Sequence, residues 1–381
     1  DTVKFRVRET LFSLLQYAKI RWFNWLLWLL WQKKQNPRCP ECGGKETIKR
    51  GSQRGLKRYF CKSCRSSFSV DHRKKNTILW IPHIDGIPFR KLGDEHGVSG
   101  VQAYNRVFAE LKLLPDNLLL TQQYCEYTSG ILVIDGKYVK VRGYKQKIPF
   151  IYAIDYETHD ILFGLLSHAE DEKTFLEFFT ILKTLNYPLC VVVADDRTSL
   201  PLALKQVYPD VPLQLCLNHY VENIRTQLHI RTDPSHRHFF SELKKCVFDE
   251  YKNNEQLDDV LRHLWSERCE NMPIRQAILL QIHRRRRELF VYKKIPNCPN
   301  NTNLIELFNS HFNARLKSLK GFKNKQNAIL WLNGLLLRRR TKPFTDCGPK
   351  FKHLNGRCSL QMSMKKQAEW PDILGVKALE S

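Results

Sequence analysis

Three carboxylates in this sequence occupy positions where divalent metal ions could be bound. Asp135 and Asp195 each follow a short apolar run, and Glu306 lies in a stretch with helical periodicity. Mg²⁺ is commonly held by a few carboxylates together with substrate phosphate. Two such ions about 3.5–4 Å apart stabilise both the attacking and the leaving oxygen of an in-line displacement. We therefore predict phosphoryl transfer on DNA, with Mg²⁺ or Mn²⁺ at these three acids.

Four cysteines form a second metal-binding pattern. Two Cys-x₂-Cys pairs stand eighteen residues apart, namely Cys39, Cys42, Cys61 and Cys64. This spacing is typical of a closed, structural Zn²⁺ site with four thiolate ligands. It predicts a zinc ribbon over residues 37–75. Basic side chains lie between the two pairs, and we expect them to contact DNA, although a merely solvated face is the alternative: Arg50, Arg54, Lys57 and Arg58.

The charge of the chain favours a polyanionic partner. The net charge is +24 over 381 residues, and residues 1–75 contain 19 Lys and Arg against 5 Asp and Glu. Such a surface attracts phosphate backbones and makes binding dependent on salt. The eight other cysteines are scattered, and no signal peptide pattern precedes them, which favours a reducing compartment. We expect a cytoplasmic protein, associated with the nucleoid of a prokaryote.

Helical patterns dominate the N-terminal third. Residues 1–36 contain tryptophans at every third position from Trp22 to Trp31, which predicts an amphipathic helix that is either buried or forms a dimer, with attachment to a membrane surface as the lesser alternative. Its apolar run is much shorter than the roughly 20 residues of a membrane span, so we expect no membrane partner. Residues 76–120 predict a helix-turn-helix, with a turn at Gly97 and Ser99 capping the second helix. Three side chains of that helix are expected to face DNA bases: Gln102, Asn105 and Arg106. An ordinary helical hairpin is the alternative.

The pattern changes to short apolar runs after Gly130. Strands are expected at 131–135, 138–141, 150–155 and 161–166, with Gly136-Lys137 as the first turn. A helix over 172–185, a strand at 190–194 and a helix at 199–208 follow. Three antiparallel strands, a crossover helix and a further buried strand are the order of an RNase H-like α/β fold. Asp155, also at the end of a strand, is assigned to a hairpin turn.

The sequence resembles the DDE transposases of the Mutator-like and related bacterial insertion-sequence groups. The resemblance covers about residues 37–345 and rests on three blocks. The first surrounds Asp195. The second is the Cys-x₂-His element of Cys216 and His219. The third runs from Thr302 through Glu306 to Asn309, Arg315, Lys317 and Gly321-Phe322. The family usually has glycine after the second aspartate, where this chain has Asp196, so either aspartate could be the ligand, with Asp195 favoured by the alignment.

The resemblance implies a division into parts and a set of partners. An RNase H-like core over 121–219 and 301–345 would be interrupted by an all-helical insertion at 220–300. The zinc ribbon and the helix-turn-helix would precede this core, and a tail without a motif would follow it at 346–381. Further DNA contacts are expected from Arg284, Arg285, Arg286, Arg315 and Lys317. Cys216 and His219 are expected to be structural neighbours of the site, with coordination of a metal as the alternative.

The implied function is metal-dependent cleavage and transfer of DNA strands by a transposase. It would bind terminal inverted repeats and target DNA as a homodimer or higher oligomer. Two other functions remain open from the sequence. One is a domesticated DNA-binding protein without cleavage, and the other is an RNase H-like nuclease that does not join strands.

Overall fold

The computed structural model describes residues 36–53, 56–70, 77–250 and 253–377. Two predictions lie outside these ranges. One is the helix within residues 1–36, of which only Asn36 is described, and the other is the DNA contact of Arg54. The chain divides into two compact units. The first ends at Thr77 and includes residues 94–98, and the second contains the remainder.

The first unit contains a small antiparallel sheet. Its strands are β1 (Thr47–Gln53), β2 (Leu56–Cys61) and β3 (Ser67–Val70), in the order β1-β2-β3. Tyr59 is buried, and its ring stacks on that of Phe68 at 5.7 Å between centroids. Most other strand residues are exposed. A sheet with so small an apolar core needs another source of stability, such as a bound metal.

Within the described residues, four helices precede the main sheet: α1 (Trp80–Ile84), α2 (Phe89–His96), α3 (Gly100–Leu111) and α4 (Asn117–Tyr124). The predicted turn at Gly97 is confirmed, since this glycine has φ +64°. Ser99 caps α3 as predicted, and its hydroxyl accepts from the Gln102 backbone N at 3.2 Å. The Gln102 side-chain oxygen accepts in return from the Ser99 backbone N at 3.0 Å. This reciprocal capping box fixes where α3 begins.

A five-stranded mixed sheet forms the centre of the second unit. It contains β4 (Ile131–Val139), β5 (Ile148–Asp155), β6 (Gly164–Leu166), β7 (Val191–Ala194) and β8 (Leu213–Leu215). The order is β6-β5-β4-β7-β8. β5 runs antiparallel to β4 and β6, whereas β7 runs parallel to β4 and β8. Helices α5 (Glu172–Thr184) and α6 (Ser199–Val207) connect the parallel strands. The predicted α/β class is confirmed.

The predicted turn at Gly136-Lys137 is wrong. β4 continues through both residues to Val139 and pairs with β5 from Leu132↔Asp155 to Val139↔Ile148. Asp135 therefore lies within a strand and not at its end. Two predicted strands are one, because a glycine inside a strand is tolerated where the ladder on both sides is continuous.

The segment after β8 consists of helices joined by turns, without a strand among its described residues up to residue 302. It contains α7 (Leu217–Gln227), α8 (Arg237–Leu243), which continues as a π-helix over Lys244–Glu250, α9 (Asn254–Arg268) and α10 (Pro273–Leu289). Short 3₁₀ turns lie at Pro234–His236 and Val291–Lys293. Two long helices follow, α11 (Asn303–Leu319) and α12 (Lys325–Thr341). No described helix is long and apolar enough to cross a membrane.

The tail, for which the sequence showed no motif, is folded onto the second unit. A 3₁₀ turn at Pro349–Leu354 precedes α13 (Ser359–Ser363). The fully buried Arg340 donates two hydrogen bonds to Asp160 at 3.0 and 2.8 Å, and the Ser359 hydroxyl donates to the same carboxylate at 3.0 Å. Further along, the carbonyl of Leu374 accepts from the Trp80 indole N–H at 2.9 Å.

Candidate active site

Helix α11 brings together side chains from two strands of the sheet. Thr302 is its N-cap residue, Glu306 lies in its first turn, and Asn309 follows one turn later on the same face. The apolar side chains that recur at helical spacing from Ile305 predict one buried face. Ile305, Phe308 and Phe312 are buried, whereas Leu316 and Leu319 are only partly buried. Phe308 and Phe312 pack against Tyr152 and Phe150 of β5, and this places the adjoining polar face, with Asn309, beside β4.

Thr302 links the second and third candidate acids. Its hydroxyl lies 2.8 Å from Oε1 of Glu306 and 3.3 Å from Oδ1 of Asp195. It also lies 3.2 Å from Sγ of the buried Cys216. A hydroxyl has one proton, so Thr302 donates to one of these acceptors at a time. Asp195, directly after β7, and Glu306, on α11, thus share one partner.

Asp135 is joined to the same helix by a different side chain. The Asn309 amide donates to Oδ2 of Asp135 at 2.5 Å, and the hydroxyl of the buried Tyr152 donates to the amide oxygen of Asn309. Tyr152 stands directly opposite Asp135 in the β4–β5 register. The backbone N of Gly136 donates to Oδ1 of Asp135 at 2.7 Å. These contacts hold the Asp135 carboxylate in one orientation.

The Cys-x₂-His element lies beside the acids, as predicted. Nδ1 of His219 is 2.7 Å from Oδ1 of Asp195 and 3.7 Å from Oε1 of Glu306, which are ion-pair distances without hydrogen-bond geometry. Ligand atoms of Asp195, Cys216 and His219 lie within 4.8 Å of one another. Among the described residues, this is one of two such groupings, and the other consists of the four N-terminal cysteines.

The electrostatics of the site favour a cation. Burial raises the pKa of the Asp195 carboxyl above its ordinary value, and the negative charge of Asp135 raises it further, whereas His219 opposes this effect. The Lys137 ammonium is 3.3 Å from Oδ2 of Asp135. Carboxylates that repel one another in a partly buried site are stabilised as anions by a bound divalent ion. The three acids supply only oxygen ligands, and this donor set fits Mg²⁺ or Mn²⁺.

Asp196 forms an ion pair with an arginine of the helical segment. Its carboxylate pairs with Arg285 on α10, and Arg285 also pairs with Glu288 at 2.9 Å. Arg286 pairs with Asp258 at 3.0 Å. The charges of Arg285 and Arg286 are thus paired within the protein, and their contact with DNA stays a prediction. Arg284 is exposed.

The other predicted DNA contacts differ in their surroundings. Arg50 lies over the ring of Phe60 at 4.4 Å, and Arg58 donates to Gln53 at 3.4 Å. The side-chain oxygen of Gln102 accepts the hydrogen bond from the Ser99 backbone N that caps α3. A contact of Gln102 with a base would therefore use its side-chain NH₂ group. Asn105, Lys57 and Lys317 are exposed, and Arg106 and Arg315 are half-buried.

The four cysteines of the first unit have the geometry of a metal site. Sγ of Cys39 is 3.6 Å from that of Cys64, and Sγ of Cys42 is 3.7 Å from that of Cys61. All four sulfur atoms lie within 4.8 Å of one another. Tetrahedral Zn²⁺ with bonds of about 2.3 Å places sulfur atoms about 3.8 Å apart. The cysteines therefore fit the ion that their spacing predicts.

Residues 120–345 match the family described as "Transposase, Mutator family". These residues include all three acids and the whole mixed sheet. Because the match covers more than half of the chain, the protein is a DNA transposase. It belongs to the Mutator family of transposases.

Similarity to other known proteins is weak. No curated protein matches the sequence. Among solved structures, the Drosophila P element transposase strand transfer complex matches with 9% identity and a TM-score of 0.42, covering 69% of this chain and 92% of that one. The simian T-cell lymphotropic virus intasome in complex with PP2A regulatory subunit B56 gamma matches with 8% identity and a TM-score of 0.25, covering 75% of each chain. At such TM-scores these likenesses support no conclusion about this chain.

Tyr152 is a site residue that the sequence did not indicate. Its hydroxyl acts on Asp135 through Asn309. The eight residues between β4 and β5 do not determine how the two strands pair, so the register Asp135↔Tyr152 could not be predicted. Burial raises the pKa of Tyr152 well above its ordinary value, so the hydroxyl keeps its proton and remains a donor.

Proposed function

We propose that this transposase cleaves DNA and joins strands with two divalent cations held by Asp135, Asp195 and Glu306. The observation that carries the proposal is the double attachment of α11. Thr302 joins Asp195 to Glu306, and Asn309 joins the same helix to Asp135. The strand order β6-β5-β4-β7-β8, with β7 and β8 parallel to β4, supports an RNase H-like core.

The chain's own residues would hold and orient the reacting groups. Asp135 and Asp195 would share one cation, and Asp135 and Glu306 the other. When bound, such ions activate the attacking oxygen and stabilise the leaving 3′-oxygen. Thr302, Asn309 and Tyr152 would keep the carboxylates oriented before DNA arrives, since the protein's contribution to phosphoryl transfer is chiefly positioning and neutralisation of charge.

Recognition of the terminal inverted repeats would fall to the N-terminal part. The cysteine cluster is proposed to bind Zn²⁺ and to form a zinc ribbon, with Arg50, Lys57 and Arg58 at phosphates. Helices α2 and α3 would form a helix-turn-helix in which Asn105 and Arg106 face bases. Synapsis of two ends would require a homodimer or higher oligomer, acting at the nucleoid of a prokaryotic cytoplasm.

Two alternatives make different predictions. A domesticated DNA-binding protein would bind ends without cutting them, and the intact acids and their supporting hydrogen bonds argue against it. A nuclease without joining would release cut ends but would form no product with target DNA. A strand-transfer assay with a pre-cleaved end separates the nuclease from the transposase.

The test replaces each acid by its amide, in the variants Asp135→Asn, Asp195→Asn and Glu306→Gln. Each change removes a ligand charge at nearly constant volume, and each should abolish cleavage and joining in Mg²⁺ or Mn²⁺ while DNA binding persists. Asp196→Asn is the matched control and should remain active, because Asp196 pairs with Arg285. An active Glu306→Gln variant would refute the three-acid site. Loss of activity only in Asp196→Asn would move the second ligand by one residue.

A further inference from the structure

Exposed cations surround the connection between β4 and β5. Residues 140–147 form this connection, and residues 320–324 connect α11 to α12. Together they carry what we call the basic ridge, which consists of six exposed side chains: Lys140, Arg142, Lys145, Lys147, Lys320 and Lys323. The two segments lie roughly 180 positions apart in the sequence, yet they form one surface.

Backbone hydrogen bonds hold the two segments together. The N–H of Arg142 donates to the Phe322 carbonyl at 2.9 Å, and the N–H of Phe322 donates to the Lys140 carbonyl at 2.8 Å. Val141 and Phe322 are buried beneath this bridge. Gly321 has φ +114°, and a Cβ there would lie 3.0 Å from the Lys140 carbonyl. The ridge is therefore fixed on the protein, and its charges keep their spacing.

No acidic residue balances the ridge. The sequence contains no Asp or Glu between Asp135 and Asp155, and none between Glu306 and Asp346. Within the described part of the chain, none of the six side chains forms an ion pair with a carboxylate. Protein surfaces usually intersperse both signs of charge. Six unbalanced cations on a rigid support create a positive field that a polyanion would neutralise.

The ridge lies between the acids and α3. Lys140 follows Asp135 by five residues along β4, which is about 16 Å at the rise of a strand. This length equals about five base pairs of duplex DNA. On the other side, the Lys323 ammonium lies 3.9 Å from the ring centroid of Tyr104 on α3, and the Tyr104 hydroxyl accepts from Asn327. One duplex could thus contact α3, the ridge and the acids in succession.

We propose that the basic ridge binds the sugar-phosphate backbone of the transposon-end duplex, between the base pairs contacted by α3 and the scissile phosphate. This inference rests on the proposed function, because it requires that α3 recognises the transposon end. Lysine and arginine contacts to phosphate fix the register of a protein on DNA without reading its sequence. The ridge would set the distance from the recognised sequence to the cut.

The test removes four ridge charges in one variant, Lys140→Gln, Arg142→Gln, Lys145→Gln and Lys147→Gln. A control variant removes three lysines and one arginine that are equally exposed on the same unit but lie elsewhere: Lys173→Gln, Lys205→Gln, Lys244→Gln and Arg357→Gln. Binding to an end duplex is measured over a salt series without divalent metal, so that no cleavage intervenes. A parallel series uses an unrelated duplex of equal length.

The ridge variant should bind the end duplex at least tenfold more weakly than wild type in about 0.1 M salt. The plot of log K against log salt should be shallower by about 0.9 for each lost phosphate contact, so by about 2 to 4. The affinity and the slope should change less in the control variant. When the end duplex is shortened so that it stops about five base pairs before the cleavage site, the ridge variant and the wild type should bind it equally. The second pair, Lys320→Gln with Lys323→Gln, should act in the same direction.

Three results would overturn the inference. They are an unchanged slope in both ridge variants, a loss confined to the unrelated duplex, and a loss that persists on the shortened duplex. The test is independent of the three-acid proposal, because Asp135→Asn removes cleavage without changing the salt slope. If the ridge variants weaken DNA binding as expected but the acid variants still cleave DNA, only the proposed metal site is refuted. The opposite pattern would refute only the ridge.

Discussion

The hydroxyl of Tyr152 should control how tightly the site binds its cations. Tyr152→Phe removes the donor to Asn309 and leaves the amide oxygen of a buried side chain without a partner. Such a loss costs about 1–3 kcal/mol of stability. It also frees Asn309 to rotate, so that Asp135 loses the hydrogen bond that orients it. Loss of a group that orients a metal ligand typically weakens metal affinity 10- to 100-fold, which corresponds to about 1.4–2.7 kcal/mol.

The assay is cleavage of an end duplex as a function of Mg²⁺ concentration. The half-saturating Mg²⁺ concentration should rise about 10- to 100-fold in Tyr152→Phe, and much of the rate should return at saturating Mg²⁺. Tyr187→Phe is the matched control. Tyr187 is also buried, and its hydroxyl donates to a carboxylate, that of Asp155, at 2.7 Å. It should lose comparable stability in urea while its Mg²⁺ dependence stays at the wild-type value.

An unchanged Mg²⁺ dependence in Tyr152→Phe would refute the reasoning, because Asp135 would then be oriented without the Tyr152–Asn309 pair. An equal shift in both variants would also refute it, since the effect would then come from general loss of stability. A second substitution, Asn309→Ala, should reproduce the Tyr152→Phe shift or exceed it.

Three further predictions concern other parts of the molecule. We expect one Zn²⁺ for each chain, so that Cys61→Ser should release it and His219→Asn should leave the zinc content at one. Elemental analysis that finds two zinc ions in the wild type would contradict both expectations. A substitution of Asp155 would be expected to be mild from its position at a turn alone. Asp155→Asn should nevertheless lower the free energy of unfolding in urea by about 2–4 kcal/mol, because the buried carboxylate accepts hydrogen bonds from several donors. Asp210→Asn, at an exposed position, is the control. Burial lowers the pKa of His159 from 6.5 to about 4. As the pH falls, the unfolded chain therefore binds a proton before the folded chain does, and the free energy of unfolding should fall by up to about 3 kcal/mol between about pH 6.5 and pH 4. His159→Asn should flatten this profile, and asparagine tolerates the left-handed backbone found there, at φ +57°.

Local patterns in the sequence predicted the elements that local forces determine. The start of α3 at Ser99 and the buried stripe of α11 depend mainly on neighbouring residues. The first was confirmed, and the second was confirmed for Ile305, Phe308 and Phe312 but not for Leu316 and Leu319. The helical segment after β8 was recognisable because long runs with helical spacing leave no room for strands. The metal roles of Asp135, Asp195 and Glu306 remain predictions, although the structure brings supporting side chains to all three.

Features that depend on distant pairing could not be predicted. The continuation of β4 through Gly136 depends on β5, and the role of Tyr152 depends on their register. The pairing of Arg285 with Asp196 joins positions 89 residues apart, so a basic run that looked available for DNA is partly neutralised. The order of the tail likewise depends on Asp160, far upstream, which no periodicity within residues 346–381 reveals.

The contacts of the tail have a consequence for synthesis in the cell. The buried Asp160 meets Arg340 and Ser359 only after nearly 200 further residues have been translated, and Trp80 meets Leu374 after 294. A nascent chain on the ribosome would hold Asp160 without its partners, and an unpaired buried charge destabilises the fold by several kcal/mol. The unit that holds the three acids would therefore reach its final stability only when residues 359–374 have left the ribosome.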